Sequence, residues 1–134
     1  MILKGKWDHA RSILLGPKTR DGVHGYHIIS PLVRDGGSTI LVDRGFVSNQ
    51  TVSSTHGVQV LHEPQGEVEV LGVLRTQQPR NSFTPDNKPE KGEWYWVDVE
   101  GIKEWFGGDK NRIQGVFVEA LFGKSLPPGY GLLF

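Results

Sequence analysis

At 134 residues the chain is long enough to bury one core without a stapling metal or disulfide, and it has no cysteine, which excludes disulfides and thiolate metal sites. Its 15 basic residues are matched by 15 acidic ones. That balance argues against nucleic-acid binding by phosphate neutralisation and against adhesion to anionic lipid by charge alone.

The start, Met1-Ile2-Leu3-Lys4, is too short an apolar stretch for a signal-peptide core, and Asp8 and His9 follow closely. Apolar runs such as Ile13-Leu14-Leu15 fall far short of the about 20 residues a membrane helix needs, so the chain is expected to be soluble. The first clear unit is a hairpin from His24 to Val47, turning at Asp35-Gly36-Gly37, where glycines supply positive φ. A Ser- and Thr-rich loop is expected over Ser48–Gly57, then a short strand at Val58–Leu61. Glu67–Arg75 has the period of a half-buried strand, with Val68, Val70, Gly72 and Leu74 on one face. Pro79–Gly92 reads as a loop and Glu93–Val97 as a strand. Asp98 is placed to cap a short helix whose Val99, Ile102 and Phe106 share a face, ended by Gly107-Gly108. Val116–Phe122 is a last strand, and the tail from Gly123 has no usable periodicity. The pattern predicts a mainly β fold over residues 1–134 as a single domain: a small curved antiparallel sheet or partly open barrel with one short helix.

Little in this pattern points to catalysis. In a strand, His24 and His27 project to opposite faces and cannot share one ion. His9, His56 and His62 lie in separate segments. Gly123-Lys124-Ser125 has the ending of a phosphate-binding loop, but position 118 is valine where that loop needs glycine. No Gly-x-Ser-x-Gly elbow exists. The expectation is a non-enzyme with no metal and no cofactor in this chain. Arg44 shares a strand face with Ile40, Val42 and Phe46, where an unpaired guanidinium is costly. It is read either as a structural ion pair with Asp86, Glu90 or Asp98 or as a partner-binding residue. Phe83 and Asn87 lie in a polar loop ahead of Trp94-Tyr95-Trp96. In a strand Trp94 and Trp96 share a face and Tyr95 takes the other. These aromatics either contact a partner or pack in a sheet covered on both sides.

Several stretches, in order, carry a resemblance: Gly5-Lys6-Trp7-Asp8-His9, Gly16-Pro17-Lys18-Thr19-Arg20, Gly25-Tyr26-His27-Ile28-Ile29-Ser30-Pro31-Leu32 and Thr39-Ile40-Leu41-Val42-Asp43-Arg44-Gly45-Phe46-Val47. Gly66-Glu67-Val68-Glu69-Val70-Leu71-Gly72, Leu74-Arg75, Phe83-Thr84-Pro85-Asp86-Asn87, Pro89-Glu90 and Trp94 follow. From Gly5 to Glu119 the chain resembles the surfeit locus protein 1 family, assembly factors of cytochrome c oxidase, and its mitochondrial members more than its bacterial ones. The resemblance implies a domain in the intermembrane space, held between two helices of the mitochondrial inner membrane. It implies work with other assembly factors on the oxidase's haem-bearing core subunit, with haem a as the family's possible cofactor. These 134 residues contain neither membrane helix. The tail 123–134 departs from the family pattern, and the histidine assigned to haem in bacterial members has no counterpart. A haem a chaperone or carrier is the alternative reading; a nucleic-acid partner is not expected.

Overall fold

The computed structural model describes residues 1–34, 36–53, 66–75, 83–106 and 113–121. Six strands form one sheet: β1 (Ile2–Trp7), β2 (Ile13–Arg20), β3 (Val23–Arg34), β4 (Thr39–Ser48), β5 (Glu67–Arg75) and β6 (Ile113–Ala120). Strand β3 is 12 residues long and organises the rest. Along one edge it pairs with β4. Along the other it pairs first with β2 and then, at Leu32–Arg34, with β1. Because β1 also pairs with β5, β5 with β6, and β6 with β4, hydrogen bonds run round a ring of five strands with β2 outside it.

The mainly β, curved sheet matches the sequence pattern, and three details differ. The sheet is mixed, since β4 and β6 run parallel. There are two short α-helices among the described residues, α1 (Asn49–Ser53) and α2 (Val99–Trp105). Glu93–Val97 is not a strand and makes only bridges at Leu15–Trp94 and Lys88–Glu93. Helix α1 replaces the start of the expected loop because Ser48 is a cap: its Oγ accepts from the Thr51 amide at 3.2 Å. Helix α2 starts where expected, with Asp98 Oδ1 accepting from the Gly101 amide at 3.1 Å. The expected strand at 58–61 and the Gly107-Gly108 stop lie outside the described residues, as does the tail from Gly123.

Side-chain alternation splits the interior into two layers. Inside the ring lie Leu3, Trp7, Leu32, Ile40, Val42, Val68, Val70 and Val118. On the opposite face Leu15, Ile29, Leu41 and Phe117 pack under Trp94, Val97 and the Val99–Ile102–Phe106 stripe of α2. Strand β5 turns Val68, Val70 and Gly72 inward as its period predicts, while Leu74 is half exposed.

Neither β1 nor β2 carries a plain strand signal. In β1 the inward positions are Leu3, Gly5 and Trp7, so the middle position adds no apolar mark. In β2 Gly16-Pro17 looks like a break, but the register shifts between Leu15 and Lys18 and pairing resumes. The ring closes through Gly5, whose Cβ, if present, would fall on the Val33 carbonyl and against Leu32. Gly5→Ala should therefore destabilise the protein by about 1–3 kcal/mol; an unchanged denaturation midpoint would show that β1 does not close the ring.

Candidate functional site

Strand β4 contains a bulge that decides where the side chains of Asp43, Arg44 and Phe46 go. Ile29 pairs with Asp43 and His27 with Phe46, so β4 spends one more residue than β3 over this stretch, at Gly45 with φ 113°. Asp43 and Phe46 therefore face outward with His27, while Arg44 turns into the ring. The sequence pattern placed Arg44 and Phe46 on one face; the bulge separates them.

Arg44 is fully buried. Its guanidinium carbon lies 4.5 Å from the centre of the Trp7 ring, a cation–π geometry. Its Nη1 donates to Ser30 Oγ at 3.4 Å, and Ser30 Oγ is 2.6 Å from Ser12 Oγ. Burial lowers the Arg44 pKa to about 10. The group stays charged at neutral pH, where that displacement opposes folding by about 3 kcal/mol. Asp98, one of the three carboxylates the sequence offered as partners, caps α2. So deep a residue as Arg44 has no surface to offer a partner.

The aromatic segment is ordered by one side chain. Asn87 Oδ1 accepts from the Tyr95 amide at 2.6 Å and the Trp96 amide at 3.3 Å, and Asn87 Nδ2 donates to the Trp96 carbonyl at 3.2 Å. These bonds do for residues 95–96 what a neighbouring strand would do, which is why an alternating sequence forms no strand. Trp94 and Trp96 are both buried and Tyr95 is half-buried. Phe83 is 92% exposed. Of the five candidates, Arg44, Trp94 and Trp96 are thus interior, Asn87 is a backbone surrogate, and Phe83 stands at the surface.

The outward side of the bulge joins His27, which the sequence reading weighed only as a metal ligand, to Asp43, which it did not single out. His27 Nδ1 lies 3.0 and 3.1 Å from the two carboxylate oxygens of Asp43, and Asp43 Oδ1 also accepts from the Gly45 amide at 3.0 Å. The carboxylate only accepts, so Nδ1 carries the proton. Phe46 meets the imidazole edge-on, with ring centres 6.1 Å apart. The group forms one wall of a cleft of about 400 Å³, also lined by Lys18, Arg20 and Glu119. Counting pairs back from the glycine turn would have put His27 diagonal to Asp43, so a signal existed. His24 bonds instead to Thr19 Oγ1 at 3.1 Å. Among the described residues no three metal-ligating side chains come together, and no helix is long and apolar enough to cross a membrane.

A family model described as the SURF1 family matches residues 1–130. The chain belongs to the SURF1 family. It is 32% identical to surfeit locus protein 1 of Mus musculus over 95% of its own length and 44% of that protein's. It is 28% identical to surfeit locus protein 1 of Homo sapiens over 95% of its length and 45% of that protein's. A SURF1-like protein of Dictyostelium discoideum is 33% identical over 78% of the chain and 47% of its own length. The chain thus spans about half the length of the curated relatives it matches.

Two substitutions test the interior roles. Arg44→Ala should cost about 2–4 kcal/mol, because it leaves a cavity beside Trp7. Arg44→Met should cost less, since it fills the space and removes a buried charge; an equal loss in both, by chemical denaturation, would show that a carboxylate depends on the charge. Asn87→Ala should cost about 1–3 kcal/mol by stranding the amides of Tyr95 and Trp96, with Asn87→Asp in between because it keeps the acceptor.

Proposed function

We propose that this chain is the globular part of a non-enzymatic assembly factor for cytochrome c oxidase, acting at the mitochondrial inner membrane on the intermembrane-space side. In this reading it supports maturation of the oxidase's haem-bearing core subunit together with other assembly factors. It binds no nucleic acid, and it needs no cofactor of its own. The observation that carries the reading is membership of the SURF1 family along residues 1–130. The fold adds a division of labour that suits a scaffold: Trp7, Trp94 and Trp96 build the core, while Phe83 on the loop ahead of Trp94 is left 92% exposed. An exposed aromatic offers large contact area at small rotamer cost.

The test is complementation in mitochondria lacking their own factor. The chain fused to two inner-membrane helices should restore oxidase assembly, and the unanchored chain should do so poorly. Confinement raises the effective concentration beside a membrane partner to the order of mM for a short linker. In the anchored form Phe83→Ala should lower oxidase assembly with the protein level unchanged. Trp94→Ala, in the core, should lose about 3–5 kcal/mol and with it the protein itself. A stably expressed anchored chain that restores no oxidase would refute the assembly role.

A further inference from the structure

The cleft beside the β4 bulge has a charge arrangement that the scaffold reading does not use. Two of its acidic groups are already engaged. Asp43 holds His27 and the Gly45 amide, and Glu119 pairs with Arg75 at 3.3 Å. Two of its cations are not: Lys18 and Arg20 form no ion pair with any described residue. They stand two apart on β2, so they point to one side of the strand. Opposite them on β3 are Val23 and Gly25, with His27 beyond on the same face. Gly25 makes the space: a Cβ there would strike the Val47 carbonyl and lie 2.7 Å from the Phe46 ring. The Phe46 ring thus packs, largely buried, over the bare backbone of Gly25, and with Ala120 and Leu121 it makes the apolar lining of the cleft.

We infer that this cleft binds a small organic oxyanion, a phosphate or carboxylate, with Lys18 and Arg20 on the oxyanion and Phe46, Ala120 and Leu121 against the body. An ammonium and a guanidinium on one strand face form charge-assisted hydrogen bonds to oxyanion oxygens. His27 adds a third polar contact. Its Nδ1–H is spent on Asp43, which fixes the ring and leaves Nε2 for the ligand. Neutral, Nε2 accepts from the hydroxyl of a singly protonated phosphate; protonated, it donates to an oxyanion oxygen. At about 400 Å³ the cleft falls within the range of small-molecule sites and exceeds what a bare inorganic ion fills.

The probe is phenyl phosphate, titrated into the isotope-labelled 134-residue chain and followed by amide NMR. Saturable shifts should centre on Lys18, Arg20, His27, Phe46 and Leu121. The double variant Lys18→Gln/Arg20→Gln should weaken binding by about ten-fold or more, while the rest of its spectrum is unchanged. Removing Nε2 with His27→Ala should weaken it less. Inorganic phosphate should bind the same residues more weakly, because it leaves the Phe46 wall unused. Failure to saturate, equal binding by the double variant, or equal shifts with phenol would overturn the inference. Pelleting with phosphatidylglycerol but not phosphatidylcholine vesicles, lost in the double variant, would identify the oxyanion as a lipid headgroup. No pelleting, with phenyl phosphate still bound, would identify a free ligand.

Discussion

Strand β3 is the constraint on which the remaining structure depends. One edge of its 12 residues is committed to β4, and the other is divided between β2 and β1. A strand that gives its second edge first to one neighbour and then to another lets the sheet curl away from flatness. Here the curl brings β1 round to β5 and the hydrogen bonds close. Closure then creates an inside and an outside, each with its own apolar layer. It also pairs both edges of all five ring strands along part of their length, leaving little edge for unwanted pairing.

The polar groups trapped by this arrangement are handled locally. Arg44 is turned inward by a single extra residue in β4 and is met there by the face of Trp7 and the hydroxyl of Ser30. The Ser30 hydroxyl accepts from Arg44, so its own proton can pass to Ser12, which ties the start of β2 to the core of the hairpin. Burying a cation this way disfavours folding relative to an apolar side chain. What it adds is register, because only the bulged pairing of β3 with β4 puts Ser30 and Trp7 around the guanidinium. Asn87 plays the same part in the outer layer, supplying from one amide the backbone partners that residues 95 and 96 lack.

The same bulge supplies the cleft. By turning Arg44 in, it turns Asp43 and Phe46 out beside His27, and the cations of β2 complete the cleft. Membership of the SURF1 family describes the chain as a whole, while the cleft is a property of this local geometry. An assembly scaffold and a small-ligand site are compatible on one domain, since the exposed Phe83 and the cleft draw on different residues.

Much of the fold was legible in the residues alone. The glycine turn with its flanking β-branched runs set the β3–β4 hairpin, the period of two set β5, and Asp98 with a helical apolar stripe set α2. Each of these is a local signal, carried by neighbours in the chain. The ordered family motifs were legible for the same reason. What stayed hidden depends on distant contacts. Strand β1 hides an inward glycine whose value lies in its approach to Val33. The strand-like run at 93–97 is kept out of the sheet by a side chain several residues earlier. The identity of Arg44 pointed to an ion pair or to a partner contact, and only the tertiary structure placed it against the Trp7 face. A bulge adds one residue without changing composition or periodicity enough to announce itself, yet it reverses the face of every side chain beyond it. The sequence alone therefore determined the β class, the hairpin and the family. The tertiary structure decided which of Arg44, Asp43 and Phe46 would enter the ring and which would take the side of the cleft, because that choice rests on strand register.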